Sequence, residues 1–381
     1  MRRNGASTIR DVARESGYSA STVSIVLNNA PLSRYIPEDT KGRIQIAARR
    51  LGYRPNPLAR SLRSQRSNIV GVMVFDITDP FCTPILRGLE NALYQANYLS
   101  LLADAHNEPH RFERYLEMLL DRRVEGLVVI ANWLVTDIKV LADLTEKQVP
   151  TVIAGRAFEI ENISSVSVDN EGGAALALEH LYGLGHREIA FLRGPKILAS
   201  SGQRWKGIRN FAQSVGLRLD AKRIAELPES LDPNSSFEAG AQLTTELLRR
   251  EKSFSALVAY DDITALGALR ALKKKGLRVP EDCSVVGFDD VAQASLSAPS
   301  LTTVRQPMEA MGSMSVGMML DAIKAVDQKE SIPVVRRKIP AELVVRESTG
   351  KCARRVGVSQ SGAHRDPGLF LGALGDGFAK D

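Results

Sequence analysis

From residue 67 onward, short apolar runs rich in β-branched residues alternate with segments of helical length, and this pattern restricts the chain to few folds. Strands that alternate with helices form parallel sheets covered by helices. The predicted strands are Ile69–Val74, Leu99–Ala103, Gly126–Ile130, Thr151–Ala154, Val166–Val168, Glu188–Leu192, Ala256–Ala259 and Ser284–Phe288. These are too many strands for one compact sheet, so we predict two doubly wound subdomains with a cleft between them.

The first sixty residues have the spacing of three short helices instead. Ile9, Val12 and Ala13 lie at i, i+3 and i+4, and Thr8 precedes them with Asp11 three residues on, which is the spacing of a capping box. The second helix is predicted to begin after Ser19 and to end before Pro31. Its apolar face carries Val23, Val26 and Leu27. The third helix is predicted from about Pro37 to Gly52, and its apolar face carries Ile44, Ala47, Ala48 and Leu51. Two short helices joined by a glycine-containing turn and packed on a third predict a helix-turn-helix domain.

Charge is concentrated in this amino-terminal part. Residues 1–66 contain 13 lysines and arginines against 4 acidic residues, a net charge of +9, whereas the remaining chain has 37 basic and 40 acidic residues. A solvated basic face is the simplest explanation of a short Lys/Arg run, but here the basic residues alternate with the apolar positions of helices. The distribution therefore predicts that the first domain binds a polyanion.

Several classes of protein are disfavoured. No apolar run is long enough for a membrane span, and the basic start of the chain has no apolar segment behind it, so we expect a cytoplasmic protein. The cysteines Cys82, Cys283 and Cys352 fit neither a disulfide framework nor a metal site. The sequence lacks the phosphate-loop, dinucleotide, zinc-protease and nucleophile-elbow motifs, so neither catalysis nor a cofactor is expected. His180 and His186 are predicted to stabilise a helix carboxyl terminus.

The order and spacing of several short motifs resemble the lactose/galactose-repressor family of bacterial regulators. The motifs are Thr8-Ile9-Arg10-Asp11-Val12-Ala13, Ser21-Thr22-Val23-Ser24-Ile25-Val26-Leu27-Asn28, Leu51-Gly52-Tyr53-Arg54-Pro55-Asn56, Ala59-Arg60-Ser61-Leu62, Gly183-Leu184-Gly185-His186-Arg187, Val286-Gly287-Phe288-Asp289-Asp290, Leu301-Thr302-Thr303-Val304 and Val345-Arg346-Glu347-Ser348. The resemblance extends over most of the chain. It implies an all-α helix-turn-helix domain followed by a core like that of periplasmic sugar-binding proteins.

The resemblance also implies domain boundaries. Residues 1–56 would form the DNA-binding head, and residues 57–66 a hinge helix or linker. Residues 67–349 would form the core, with one subdomain from about 67–168 and 305–333 and the other from about 169–304 and 334–349. Residues 350–381, rich in glycine and without periodicity, would be a disordered tail.

In this family the second helix enters the major groove of DNA. The positions that match DNA contacts are Thr8, Ser19, Ala20, Ser21, Thr22, Ser24, Ile25, Asn28, Tyr53, Asn56, Ala59, Leu62 and Arg63. Ser19, Thr22 and Ser24 would contact phosphates or cap the helix. Ile25 stands where most relatives have an arginine, so an apolar contact replaces a contact to guanine. The segment between the second and third helices, 29–36, is longer than usual.

Leu62 matches the leucine that hinge helices of the family insert into the central base step of the operator, with Ala59 and Arg63 beside it. The alternative is burial of Leu62 against the core.

The resemblance places the effector between the two subdomains. The matching residues are Asp79, Phe81, Asp169, Ser200, Arg204, Asp261 and Asp289. Carboxylates, a guanidinium and an aromatic face suit a polyhydroxylated ligand, although Asp79 could instead cap a turn before Pro80. Leu198 occupies a position where purine-responsive relatives have an arginine. A sugar or sugar derivative is therefore favoured over a nucleobase.

The sequence thus predicts a dimeric transcription regulator, most simply a repressor, that binds a near-palindromic operator in double-stranded DNA and responds to a small effector. The alternative is a cytoplasmic solute-binding module without a regulatory role. The basic head distinguishes the two, because a solute-binding module has no use for it.

Overall fold

A computed structural model describes residues 7–53, 66–131, 149–156, 163–230, 232, 235–250 and 254–352. Asn56, Ala59, Leu62 and Arg63, together with residues 353–381 of the predicted tail, lie outside the described residues.

The head contains the three predicted helices, α1 (Ile9–Ser16), α2 (Ala20–Leu27) and α3 (Glu38–Arg50). Their apolar faces meet in one small core, and Val12, Val23 and Ile44 are fully buried in it. Burying each such side chain contributes about 1.5–3 kcal/mol, which holds short helices that would be marginal alone. The long segment before α3 contains a 3-10 helix, Pro31–Tyr35, that the sequence did not predict.

The first sheet has six parallel strands in the order β11-β5-β4-β3-β1-β2. These strands are β1 (Ile69–Val74), β2 (Leu99–Asp104), β3 (Gly126–Ile130), β4 (Thr151–Ala154), β5 (Ser164–Val168) and β11 (Arg336–Ile339). The helices of this subdomain are α4 (Cys82–Gln95), α5 (Pro109–Asp121) and α11 (Met308–Gln328). Strands β3, β4 and β5 are buried along their whole length, which explains their continuous apolar or small-residue sequences.

The second sheet also has six strands, in the order β12-β10-β9-β8-β6-β7. They are β6 (Ile189–Arg193), β7 (Ile224–Glu226), β8 (Ala256–Ala259), β9 (Ser284–Asp289), β10 (Thr302–Arg305) and β12 (Glu342–Val344). All pairs are parallel except β10 with β12. The helices are α6 (Asn170–Gly183), α7 (Ala199–Ser214), α8 (Ser235–Arg250), α9 (Asp262–Lys274) and the short α10 (Ala292–Leu296).

The chain passes between the two subdomains three times, after β5, after β10 and after β11. The last passage corrects the predicted boundary at residue 334. Strand β11 pairs with β5 of the first sheet, with Arg336 opposite Ser165, so the return to the second subdomain comes after Ile339. Because β11 is exposed and charged, a search for apolar runs does not find this edge strand.

His180 lies in the last turn of α6, as predicted, but the contacts of His180 and His186 give them a different role. The His180 Nε2 lies 2.9 Å from the Thr349 hydroxyl, and the His186 ring nitrogens lie 2.8 Å from the Ser255 hydroxyl and 3.0 Å from the Gly350 carbonyl. Burial lowers the pKa of both rings, which favours the neutral form. Instead of acting as cations at a helix terminus, the two histidines fasten residues 349–350 to the second subdomain.

Within the described parts of the chain, no helix is both long and apolar enough to cross a membrane.

Candidate functional site

In the head, one face of α2 is buried and the other is exposed. Val23 and Val26 pack into the small core, whereas Ala20, Ser21 and the capping residue Asn28 are exposed. Ile25 is half-buried. The exposed side carries small or polar uncharged residues, so it can enter the major groove while basic residues elsewhere in the head approach phosphates.

The hydroxyl groups predicted near DNA cap the two helices. The Ser19 hydroxyl accepts a hydrogen bond from the Thr22 backbone N–H at 3.1 Å. At the start of α1, Thr8 and Asp11 form a reciprocal capping box, and the Asp11 carboxylate accepts from the Thr8 N–H at 2.8 Å. Bonds from Thr8 lower the pKa of Asp11. Capping fixes where each helix begins and therefore how its first turn is presented.

Two further predicted DNA contacts are partly engaged within the head. The Asn28 amide donates to the Ser24 carbonyl at 2.9 Å and to the Ser24 hydroxyl at 3.2 Å. Tyr53 is half-buried against the head core. These contacts are compatible with DNA binding, and the assignments remain predictions.

In the core, a buried arginine connects several of the predicted effector residues. Arg204 lies in the first half of α7 and is 6% exposed. Its Nη2 donates to the Asp289 carboxylate at 3.1 Å, its Nη1 to the Tyr260 carbonyl at 2.6 Å, and its Nε to the Asn170 side chain at 3.0 Å. These bonds use three of the five N–H groups of the guanidinium.

Two aromatic rings flank the same guanidinium. Its central carbon lies 3.6 Å from the centroid of Phe288 and 4.7 Å from that of Tyr260. The Tyr260 hydroxyl is in turn 2.8 Å from the Ser200 hydroxyl, so Ser200 belongs to the same cluster. Cation–π contacts and hydrogen bonds together hold the charged group in one orientation, as a binding site requires.

Asp289 connects this cluster to Gln306, which lies where the chain passes between the subdomains after β10. It is 8% exposed and also accepts from the Gln306 amide at 2.5 Å. Burial raises the pKa of Asp289 to about 6, although Arg204 acts in the opposite direction. Its φ of 118° is strained for a residue with a side chain, and such strain is typical of functional positions.

Asp261 and Asp169 lie at the carboxyl ends of strands in the two sheets. The Asp261 carboxylate caps α9 by accepting from the Thr264 N–H at 2.7 Å, and burial raises its pKa. Asp169 pairs with Lys338 of β11 at 2.7 Å. Burial acts to raise the pKa of Asp169, but the Lys338 ammonium and the Gly172 N–H outweigh it and lower the pKa.

The two predicted residues after β1 are buried in the first subdomain. Asp79 accepts from the Phe81 N–H at 3.0 Å, which is the turn-capping role considered for it. Phe81 is 1% exposed and packs among apolar residues that include Val74, Ile85 and Val291. In this conformation the Phe81 ring is covered by apolar side chains, and its assignment as an effector contact remains a prediction.

Sequence reasoning missed four residues of the site: Asn170, Tyr260, Phe288 and Gln306. Asn170 follows the passage after β5, Tyr260 follows β8, and Gln306 follows β10. These three share a signal, a polar or aromatic residue shortly after a strand, where ligands of parallel sheets bind, whereas Phe288 lies within β9.

Comparison with known proteins agrees with this architecture. Residues 8–56 match the family described as bacterial regulatory proteins, lacI family, and residues 178–349 match the periplasmic binding protein-like domain. The chain is 31% identical to the ribose operon repressor of Halalkalibacterium halodurans over 342 residues, which are 90% of this chain and 97% of that repressor. The chain belongs to the LacI family of bacterial regulatory proteins.

Other LacI-family proteins give the same result. The transcriptional repressor CytR of Escherichia coli is 29% identical over 345 residues, 90% of this chain and 96% of CytR. A Lac repressor dimer bound to operator and the anti-inducer ONPF has a TM-score of 0.76 at 27% identity, over 91% of this chain and 100% of that one. A complex of the regulator CelR with cellobiose has a TM-score of 0.66 at 30% identity, over 90% and 99%.

The ribose operon repressor, CytR and PurR of Vibrio cholerae are repressors by name, not enzymes. The family membership therefore makes this chain a DNA-binding transcription regulator with a periplasmic-binding-protein-like effector domain, as the sequence predicts.

Proposed function

We propose that this LacI-family chain is a cytoplasmic homodimeric repressor, that it binds a near-palindromic operator, and that a sugar or sugar derivative in the cleft controls the binding. The observation that carries the proposal is the Arg204 cluster, in which a buried guanidinium faces Asp289 at the carboxyl ends of the strands of the second sheet. Donors and acceptors that are held in fixed positions fit the hydroxyl groups of a sugar.

The surroundings of the cluster favour a neutral polyol over a nucleobase. Carboxylates at Asp79, Asp261 and Asp289 are all buried and can accept from hydroxyl groups. Leu198, the position of an arginine in purine-responsive relatives, is apolar and 2% exposed here. Solved relatives contain cellobiose in one case and ribose in another, the latter a regulator from Enterococcus faecium with a TM-score of 0.64 at 26% identity.

The head supports operator binding by a dimer. The exposed side of α2 can read one half-site, and a two-fold dimer reads two half-sites related by the same symmetry. A Lac repressor of the same architecture is a dimer on its operator. A solute-binding module without a regulatory role would not need the capped helices of the head or the charge of +9 over residues 1–66.

A two-step experiment tests the proposal. Duplexes that bind the full-length chain are first selected from a random DNA library, and their affinity is then measured by fluorescence anisotropy with a panel of free sugars, sugar phosphates and nucleosides. We expect a near-palindromic consensus and at least one free sugar that changes the affinity by about tenfold, or about 1.4 kcal/mol of coupling. A response to nucleosides alone would contradict the assignment of the effector.

A further inference from the structure

Arg66 is held by three groups from three different parts of the first subdomain. Its Nε pairs with the Glu125 carboxylate at 2.7 Å, while its two terminal nitrogens contact the Asp327 carboxylate and the Tyr98 hydroxyl. We call these four residues the Arg66 cluster. Tyr98 directly precedes β2, Glu125 directly precedes β3, and Asp327 lies in the last turn of α11. One side chain thus connects two strands and a helix.

Two members of the Arg66 cluster, Tyr98 and Glu125, also contact each other. The Tyr98 hydroxyl donates to the same Glu125 carboxylate at 2.9 Å, and the other oxygen of Glu125 accepts from the Asn68 N–H at 2.7 Å. Glu125 is only 10% exposed in its side chain. Burial and the bond to Glu125 raise the pKa of Tyr98, so the phenol keeps its proton. Two of the three partners of Arg66, Glu125 and Tyr98, are therefore also held by contacts other than the arginine.

This arrangement differs from an ordinary surface ion pair. An exposed pair contributes about 0–1 kcal/mol because both side chains are ordered for one contact in water. Arg66 is one-third exposed, yet its planar guanidinium meets three acceptors at once, one of them nearly buried. Contact with several acceptors at once fixes the orientation of an arginine side chain and also strengthens the interaction.

The Arg66 cluster and the Arg204 cluster lie near opposite ends of helix α11. The Arg66 cluster lies at the amino ends of β1–β3, whereas Gln306 of the Arg204 cluster lies just before α11. The 21 residues of α11 span about 30 Å between these two ends. Close packing against α4 leaves the helix little freedom, because a Cβ on Gly88 would lie 1.9 Å from the Glu309 carbonyl oxygen.

We propose that Arg66 is a positioning residue for operator binding: the cluster fixes the point at which the hinge, residues 57–66, joins the core. This inference rests on the proposed function. The resemblance to the family implies that the hinge forms a helix only on DNA. A fixed base reduces the conformational entropy that is lost when this helix forms, so the cluster raises affinity for the specific duplex. Non-specific binding depends on phosphate contacts of the head and does not need the fixed base.

The test compares two Asn substitutions on the same helix. Asp327→Asn removes a partner of Arg66, whereas Asp321→Asn removes an exposed ion pair with Lys324 inside α11 and serves as the control. Each full-length variant is measured for affinity to the duplex selected from the random library, for affinity to an unrelated duplex, and for its Tm. Arg66→Gln and the double variant Arg66→Gln/Asp327→Asn complete a cycle.

We expect Asp327→Asn to weaken binding of the selected duplex by about fivefold or more, with unchanged binding of the unrelated duplex, and the double variant to lose less than the sum of the single variants. Asp327→Glu, which keeps the charge, should retain most of the affinity. Equal affinities of the Asp327→Asn and Asp321→Asn variants would overturn the inference, as would a loss that affects both duplexes alike. Failure of the unsubstituted chain to select any duplex would contradict the proposed function instead.

Discussion

Arg204 Nη2 donates to Asp289 at 3.1 Å while the same guanidinium lies 3.6 Å from the centroid of the Phe288 ring. The ion pair is buried on both sides, with 7% exposure of the arginine side chain and 11% of the aspartate. Because the desolvation of a buried pair offsets much of its attraction, such a pair is weak evidence for stability. The position of Asp289, at the carboxyl end of β9 and next to a passage between the subdomains, is what a ligand-responsive site requires.

Effector binding is expected to depend on pH around 6. Burial raises the pKa of Asp289 to about 6, so its carboxyl is ionised above that pH and becomes protonated below it. A sugar hydroxyl donates best to the ionised form, so affinity should fall as the pH drops from about 7 to about 5. Calorimetry of the sugar identified in the panel checks this, with Asp289→Asn as a control that has no such titration. Constant affinity of the unsubstituted chain over this range would show that Asp289 does not contact the effector.

Two glycines of α7 predict opposite effects on stability. A Cβ on Gly207 would lie 2.0 Å from the Glu171 carbonyl oxygen, whereas a Cβ on Gly202 would meet nothing within 4 Å. Gly207→Ala should therefore force α6 and α7 apart and cost about 1–3 kcal/mol. Gly202→Ala should be neutral or stabilise by up to about 1 kcal/mol through helix propensity. Thermal unfolding of the two variants tests the packing, and similar Tm values would contradict it.

Local interactions made much of this fold predictable from the sequence. The capping box of Thr8 and Asp11 depends only on a spacing of three residues, and the structure confirms it. Strands such as Gly126–Ile130 and Thr151–Ala154 were predicted with the bounds that the structure gives, because strands buried on both faces have continuous apolar sequences.

Elements that depend on distant partners were missed. Strand β11 is exposed and charged, and it exists because Arg336–Ile339 pair with β5, which is about 170 positions earlier in the chain. The site could be predicted only in part for the same reason. Asn170 contacts Arg204, and Gln306 contacts Asp289, because the passages of the chain between the subdomains bring these residues together. The assignment of Phe81, which is buried among apolar side chains, stays a prediction.

DNA binding should weaken steeply with salt. The net charge of +9 over residues 1–66 occurs twice in a dimer, and each phosphate contact releases counterions. We expect at least about a tenfold loss of operator affinity between about 50 and 200 mM salt. Affinity for the sugar, measured at the same salt concentrations, should change little and serves as the control. A flat response of operator binding would contradict the assignment of the head.

Leu62→Ala tests the hinge at a residue that lies outside the described part of the chain. A smaller side chain cannot keep a base step unstacked, so specific operator affinity should fall several-fold while sugar binding and dimerisation persist. Gel shifts with the selected duplex and with an unrelated duplex check the specificity of the loss. Unchanged operator affinity would indicate that Leu62 is a packing residue.

The most direct test of the whole account is the response of operator binding to sugar in the Arg204→Ala chain. The substitution leaves ligand oxygens without their donors and should cost about 2–4 kcal/mol of sugar binding, or about thirty- to a thousandfold in affinity. Because the head lies outside the cleft, sugar-free affinity for the selected duplex should stay within about twofold. We therefore expect a regulator that binds its operator but no longer responds to the sugar. A variant with normal sugar affinity and a normal response would contradict the account.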